Sequence, residues 1–453
     1  MTSAKGKLLS ILGTTNYVRC NYDEFSNCKY IQEALIRKYK DEISEVIIFA
    51  TNEAINENWE SKKLENGDDQ KGLKETIEEI ALKYKLNLKV KLKKIPEGFT
   101  QEQLWEIFNI FIGEIEEGEE IHFDVTHGFR YLSMLIMNIL NYVKVTKNTI
   151  VKSIDYGLIE SLGPMYKVKK LSIEERNATI LDLTSFDNLN DWVIGVDNFT
   201  NTGDADKISK LASKPIGKQL SKSGSEKEYN LYKFISILIN KLKEFNHEIK
   251  TARGNKLNST IIEILNILNE IEEAKEMILK SHNEISPFFN LIDKINEKFS
   301  IFNISDESGI ENYFKLLSWC EEHNLVHQGF VIFRENFISL IARSLGEPYL
   351  PNHFEDQNYN FTLSDIRQEI SSAINDVIDP KHTQTSYKTN KEKYQKIRLE
   401  IENNHKEMAE LYSKYRGKRN DVSHFGLTDE SVRTSNKVIK SFSKFIKELE
   451  SLL

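Results

Sequence analysis

Over the first 160 or so residues, short apolar runs alternate with stretches of helical period. Lys7-Leu8-Leu9-Ser10-Ile11-Leu12 ends at Gly13 and predicts a buried strand. Ile31, Leu35, Ile36 and Tyr39 mark one side of a helix, and Val46-Ile47-Ile48-Phe49-Ala50 predicts a second buried strand ending at Thr51-Asn52. A helix through Leu73, Ile77, Ile80 and Tyr84 leads to Leu86-Asn87-Leu88-Lys89-Val90-Lys91-Leu92, whose strict alternation fits a half-exposed edge strand. A further helix, Leu104 to Ile115, precedes a strand at Ile121-His122-Phe123-Asp124-Val125-Thr126. Repeated strand–helix–strand units predict a mostly parallel, Rossmann-like sheet with helices on both faces.

Beyond Tyr166 the pattern changes. Residues 170–200 are mixed, with Trp192 and Phe199 expected to pack at a domain junction, and residues 201–228 are rich in Gly, Ser and Lys, which reads as a mobile linker or loop. From Tyr229 onward helical period dominates; Val438, Phe442, Phe445, Leu449 and Leu452 mark the last helix. Residues 380–391 are polar and read as a loop. The expected fold class is α/β plus α: a sensor-like sheet domain over residues 1–170, a connector with a polar linker over 171–228, and an all-helical domain over 229–453.

Composition narrows the classes. At 453 residues the chain fits two or three domains, and 40% hydrophobic with 29% charged residues is a globular balance. Sixty-one Lys plus Arg against 69 Asp plus Glu gives a net charge of −8, which argues against non-specific coating of nucleic acid but allows a local basic cleft. Cys20, Cys28 and Cys320 have neither disulfide-framework nor metal-ligand spacing. No secretory leader and no membrane-length apolar stretch is evident, so the sequence reads as cytoplasmic.

In parallel sheets ligands bind beyond the carboxyl ends of the strands. Gly13-Thr14-Thr15-Asn16, Thr51-Asn52 and Thr126-His127-Gly128 stand at those ends and are expected to converge on one surface. Within Asp124-Val125-Thr126-His127-Gly128-Phe129-Arg130, the start of a helix favours an anion, Gly128 permits close approach, and Arg130 can pair with phosphate. Thr126 and His127 can hydrogen-bond a ribose or base; a plain strand–helix turn with a capping Thr fits the same residues. The loop Gly13-Thr14-Thr15-Asn16-Tyr17 is neither a Walker loop nor a dinucleotide fingerprint, but can present backbone N–H groups and hydroxyls to a nucleotide.

The second constellation is Arg419-Asn420-Asp421-Val422-Ser423-His424. RNA cleavage without a metal needs a proton acceptor and donor and a cation for the phosphorane; His424 titrates in the right range and Arg419 offers a planar fork. Lys414, Arg416 and Lys418 form a basic island beside it. A helix-capping arginine with a surface histidine has the same spacing. His323 and His327 lie four apart without the Glu of a metalloprotease helix, and no metal site is assigned.

Leu8 to Thr14, Phe123 to Arg130 and Ile154-Asp155-Tyr156-Gly157, together with Arg419 and His424, resemble the CRISPR-associated ribonucleases of type III systems. Those proteins join a CRISPR-associated Rossmann-fold (CARF) sensor to a higher-eukaryote-and-prokaryote nucleotide-binding (HEPN) domain. The resemblance implies a homodimer that holds a cyclic oligoadenylate on its two-fold axis, with cyclic tetra-adenylate favoured over cyclic hexa-adenylate. Gly13, Thr14, Thr15, Thr126, His127, Gly128 and Arg130 would line each half. It further implies that Arg419 and His424 of both protomers form a composite, metal-independent site for single-stranded RNA, with Asn420 matching a frequent polar neighbour of the Arg. Slow cleavage of the cyclic ligand by the sensor is compatible with the same residues. Two other readings stay open: a ligand-controlled adaptor with an inactive helical domain, and a small-molecule enzyme of Rossmann type.

Overall fold

The computed structural model describes residues 6–63, 69–128, 130–210, 225–254, 256–278, 286–347, 363–379, 391–423 and 434–453. The chain divides into two compact units, Met1–Asn188 and Leu189–Leu453.

In the first unit the apolar run after Lys5 forms β1 (Gly6–Leu12), buried at every position. It lies inside an eight-stranded sheet with β2 (Cys20–Tyr22), β3 (Phe25–Cys28), β4 (Ile43–Ala50), β7 (Lys89–Lys94), β8 (Glu120–Asp124), β9 (Ile150–Leu158) and β10 (Asn177–Asp182). A separate two-stranded ribbon comprises β5 (Lys62–Lys63) and β6 (Asp69–Gln70). The order in the large sheet is β3-β2-β10-β9-β8-β1-β4-β7. The β9-β8-β1-β4-β7 core is parallel, and β10 runs antiparallel to β9. The predicted edge strand is at the edge, although it begins at Lys89, three residues later than the alternation indicates.

Two helical layers cover the sheet. Alternate residues of β1 point to opposite sides: Leu8 and Leu12 join Ala34 and Leu35 of α1 (Ile31–Lys38) and Ile77 of α3 (Leu73–Tyr84). Leu9 and Ile11 join Ile107 and Phe111 of α4 (Gln101–Gly113) and Leu132 and Ile136 of α5 (Arg130–Thr146). Each such fully buried aliphatic side chain contributes roughly 1.5–3 kcal/mol of transfer free energy. Short helices α2 (Asn52–Ala54), continuing into a wider turn at Ile55–Trp59, and α6 (Met165–Val168) complete the unit.

Register decides where the strand ends emerge. Leu12 pairs with Ala50, Ser10 with Asp124, and Asp124 with Asp155. Gly13, Thr51 and Thr126 therefore leave the sheet along one edge.

The second unit is helical: α7 (Thr184–Thr202, starting just before the division), α8 (Glu226–Lys250), α9 (Leu257–Ile278), α10 (Ser286–Phe299), α11 (Ile310–Glu322), α12 (Val326–Ser344), α13 (Leu363–Ile378), α14 (Lys391–Asn404), α15 (Lys406–Ser423) and α16 (Ser435–Glu450). Trp192 and Phe199 belong to its core, with Phe199 beside Phe299 and Trp319. The start of the presumed linker is also packed, because Ala205 and Ile208 are buried in that core. Residues 211–224 and the expected loop at 380–390 lie outside the described residues. The last helix buries Phe442, Phe445 and Leu449 at the predicted period.

Candidate functional site

A cavity of about 350 Å³ opens at the carboxyl edge of the sheet, lined by Gly13, Thr14, Thr15, Thr51, Thr126, His127 and Gly128. Ile11, Leu12, Ile95, Leu132 and Glu160 complete its walls. The three strand-end segments thus meet, as the sheet topology requires. Asn16 and Asn52 are exposed beside this rim and are not part of the lining. Phe129 and the side chain of Arg130 lie outside the described residues.

The Gly13 loop is fixed from beneath. The buried Asn58, from the wide turn Ile55–Trp59, donates its amide hydrogens to the carbonyls of Gly13 and Thr15, both at 3.0 Å. The Gly13 N–H donates to the Tyr17 hydroxyl at 2.8 Å, and burial keeps that phenol's pKa above its usual value. A Cβ on residue 13 would come within 3.1 Å of the same hydroxyl, so the loop is tight at this point. The Tyr17 ring also stands edge-on to His127, with centroids 4.6 Å apart. Asn58 was not singled out by the sequence, and Tyr17 only as the end of the Gly13 loop. Asn58 carries no local signal that separates it from the exposed Asn52 and Asn56.

The Thr126 turn is fixed by a buried hydrogen-bond chain. Asp124 is wholly buried; its Oδ1 accepts from the Thr126 N–H at 2.9 Å and its Oδ2 from the Ser10 hydroxyl at 2.6 Å. Gln32 of α1 donates to Ser10 at 2.8 Å, and the Gly157 N–H donates to the Thr126 hydroxyl oxygen at 2.8 Å. Burial pushes the Asp124 carboxyl up to about 6, against the lowering effect of its two donors. The Gly13 and Thr126 amides, candidates for anion contact, are therefore already occupied internally. The Thr126 hydroxyl accepts from Gly157 and is itself within hydrogen-bond reach of the Asp124 carboxylate, so it is held from both sides.

Gly128 is required by its backbone, with φ of +120°, and a Cβ there would meet Leu132 at 3.1 Å and Ile11 at 3.4 Å. Gly128 also lines the cavity, where the sequence reading expects the close approach of a phosphate. The His127 Nε2 is buried and has no hydrogen-bond partner among the described residues. Burial pulls the His127 pKa down to about 4, so the ring is neutral near pH 7 and acts as a hydrogen-bonding group, not as a counter-charge. Thr51 caps α2 through its hydroxyl, which accepts from the Ala54 N–H at 3.3 Å. Glu160 accepts from the Tyr156 hydroxyl at 3.0 Å and presents a carboxylate in the wall. Such an acceptor suits a ribose hydroxyl or an exocyclic amine. It repels a phosphate.

In the helical unit, Arg419 lies toward the C-terminal end of α15; its Nη2 donates to Asn420 Oδ1 at 2.6 Å and its Nη1 to the Tyr412 hydroxyl at 3.4 Å. His424 falls outside the described residues, immediately after the helix. The basic island is less uniform than its sequence, since Lys414 pairs with Glu448 at 2.8 Å and Lys418 lies over the Tyr415 ring. His323 is buried against Trp319, with Nδ1 3.2 Å from the Asn201 carbonyl. Among the described residues no three His, Cys, Asp or Glu side chains gather as a metal cluster, and no helix is long and apolar enough to cross a membrane.

Residues 7–161 match the family model described as the CARF domain of the CRISPR system endoribonuclease Csx1. The CRISPR-associated protein MJ1674 of Methanocaldococcus jannaschii is 30% identical over 166 residues, 36% of this chain and 24% of that protein. The chain thus spans about a quarter of that relative's length. Among solved structures, Enterococcus italicus Csm6 bound to cyclic hexa-2′-fluoro-hexa-dAMP aligns over 98% of this chain and 94% of its own, at 14% identity and a TM-score of 0.39. The first unit is accordingly similar to CARF domains of CRISPR-associated proteins, and the cavity lies wholly within the matched residues.

Proposed function

We propose that this chain is a cyclic oligoadenylate-activated, metal-independent endoribonuclease of type III CRISPR defence, cleaving single-stranded RNA at a composite site of a homodimer. The observation that carries this reading is the cavity at the sheet edge: seven predicted residues from three strand ends line it, inside the stretch that matches the CARF family. At about 350 Å³ it is near the lower end for small-ligand pockets, which suits one part of a larger ring shared between two protomers. A neutral His127 and the Glu160 carboxylate offer contacts for sugar and base, and Arg130 offers charge for phosphate.

In the helical unit, Arg419 supports charge on the phosphorane and His424 takes the proton of the 2′-hydroxyl; the 2′-oxygen bonds phosphorus as the P–O5′ bond breaks, and the 5′-oxygen leaves as a hydroxyl carrying that proton, giving a 2′,3′-cyclic phosphate. Ligand binding favours the dimer state in which this pair is assembled, which requires tighter binding to that state. An adaptor with an inactive helical unit is the second reading, favoured by the family match ending at residue 161.

The test is cleavage of a fluorescent-quenched single-stranded RNA in EDTA, with and without each cyclic oligoadenylate, tetra-adenylate first and hexa-adenylate second. Cleavage that requires one ring and is lost in His424→Ala is the expected outcome. Arg130→Ala should need more ligand for the same rate. Tight ring binding with no cleavage by the unmodified chain would leave the adaptor reading in its place.

A further inference from the structure

The helical unit carries a cluster of guanidinium groups that the Arg419–His424 motif does not contain. Tyr412, Arg416 and Arg419 are spaced four and three apart along α15, so they share one face of the helix. That face packs on α12, where Phe333 lies against Tyr412 and Phe330 against Tyr415. Arg334 of α12 closes the same crevice. Tyr412 is buried, and its hydroxyl is within hydrogen-bond reach of both Arg334 and Arg419. One tyrosine oxygen therefore ties an arginine 85 positions upstream to the predicted catalytic arginine.

The charges do not balance within the crevice. Glu335 pairs with Arg334 at 2.6 Å but is shared with Arg367 at 2.8 Å. Arg416 has an uncharged partner, Asn375 Oδ1 at 2.9 Å, and Arg419 is bonded to the uncharged Asn420 and Tyr412. The Arg334 Nε is buried with no hydrogen-bond partner among the described residues. Like charges gathered at a partly buried site are unfavourable unless an anion joins them. Planar forks of this kind match a phosphate.

We propose that Arg334 and Arg416 bind a phosphodiester of the RNA strand adjacent to the bond addressed by Arg419, so that the strand lies across the α12–α15 groove. This deepens the ribonuclease reading and rests on it for the identity of the strand. Arg334 and Arg416 are then positioning residues, holding substrate in register without moving a proton.

The experiment uses the full chain with its activating ring and two readouts. One is steady-state cleavage of single-stranded RNA; the other is anisotropy of a fluorescent, uncleavable 2′-O-methyl RNA across a salt series. Arg334→Gln and Arg416→Gln should each raise KM about tenfold with kcat within about threefold. Each should also weaken 2′-O-methyl RNA binding and lower the slope of log affinity against log salt by about one. Arg334→Lys should recover part of the affinity, which a merely structural arginine would not predict, and thermal melts check that the variants fold. Unchanged KM and unchanged salt slope in both Gln variants would overturn the proposal, as would absence of RNA binding by the unmodified chain. If that chain binds 2′-O-methyl RNA but cleaves none with any ring, the ribonuclease reading fails alone, and the binding comparison still decides the role of Arg334.

Discussion

The cavity of the sheet unit draws its residues from segments that parallel pairing aligns, whereas the arginine crevice of the helical unit joins two helices by a contact that no local pattern encodes. Thr51 and Thr126 are 75 positions apart, yet each follows a strand whose last residues are registered with β1. Arg334 and Arg419 are a similar distance apart, but their meeting depends on how Phe330, Phe333, Tyr412 and Tyr415 interlock between α12 and α15. A parallel sheet delivers a site by topology. A helical bundle delivers one only through side-chain packing.

The strongest way to break this comparison is to disable one site and read the other. Arg419→Ala should lower ring-stimulated RNA cleavage by roughly 10²–10⁴-fold, with ring affinity by calorimetry unchanged. An equal loss of ring affinity would merge the two sites into one. Asn58→Ala removes two buried hydrogen bonds and orphans the Gly13 and Thr15 carbonyls. It should cost about 1–3 kcal/mol in a urea melt of the first unit and weaken ring binding by about tenfold. His127→Ala should weaken the ring by about five- to tenfold while cleavage at saturating ring stays near the unmodified rate.

The smallest effect sharpens the electrostatics. Asp124 titrates near 6 in the folded chain, above its ordinary 3.8, so the folded state binds its proton more tightly. Its contribution to stability is complete below pH 4 and is lost as pH rises through about 6. Asp124→Asn should flatten that part of the stability profile between pH 4 and 6, measured by thermal melts. A profile identical to that of the unmodified chain would place the titrating group elsewhere.

Much of the sheet was legible because continuous apolar runs such as Leu8–Leu12 and Val46–Ala50 can be satisfied only by burial on both faces. Seven residues of the cavity lining followed from strand ends, whereas Glu160 did not. Asn58 escaped because its partners are backbone atoms of a loop some 45 positions away whose shape is not local to it. The packing of Ile11 and Leu132 against Gly128 is a tertiary fact that no local pattern shows. The packing of Trp192 and Phe199 was not legible because the mixed pattern at 170–200 hides the start of a long helix, α7, whose buried face is completed by α10 and α11. In the helical unit period gave the elements, but heptad-like spacing does not say which helix faces which.

One consequence of the chain from Gln32 through Ser10, Asp124 and Thr126 to Gly157 concerns the thermodynamics of detection. The turn that would meet the messenger is held by bonds present before any messenger arrives. Little chain entropy is then left to lose on association, and little apolar surface is newly covered by folding. Ring binding to this edge should show a small heat-capacity change and fast association, so that the alarm threshold is set by affinity and not by the time a loop takes to order.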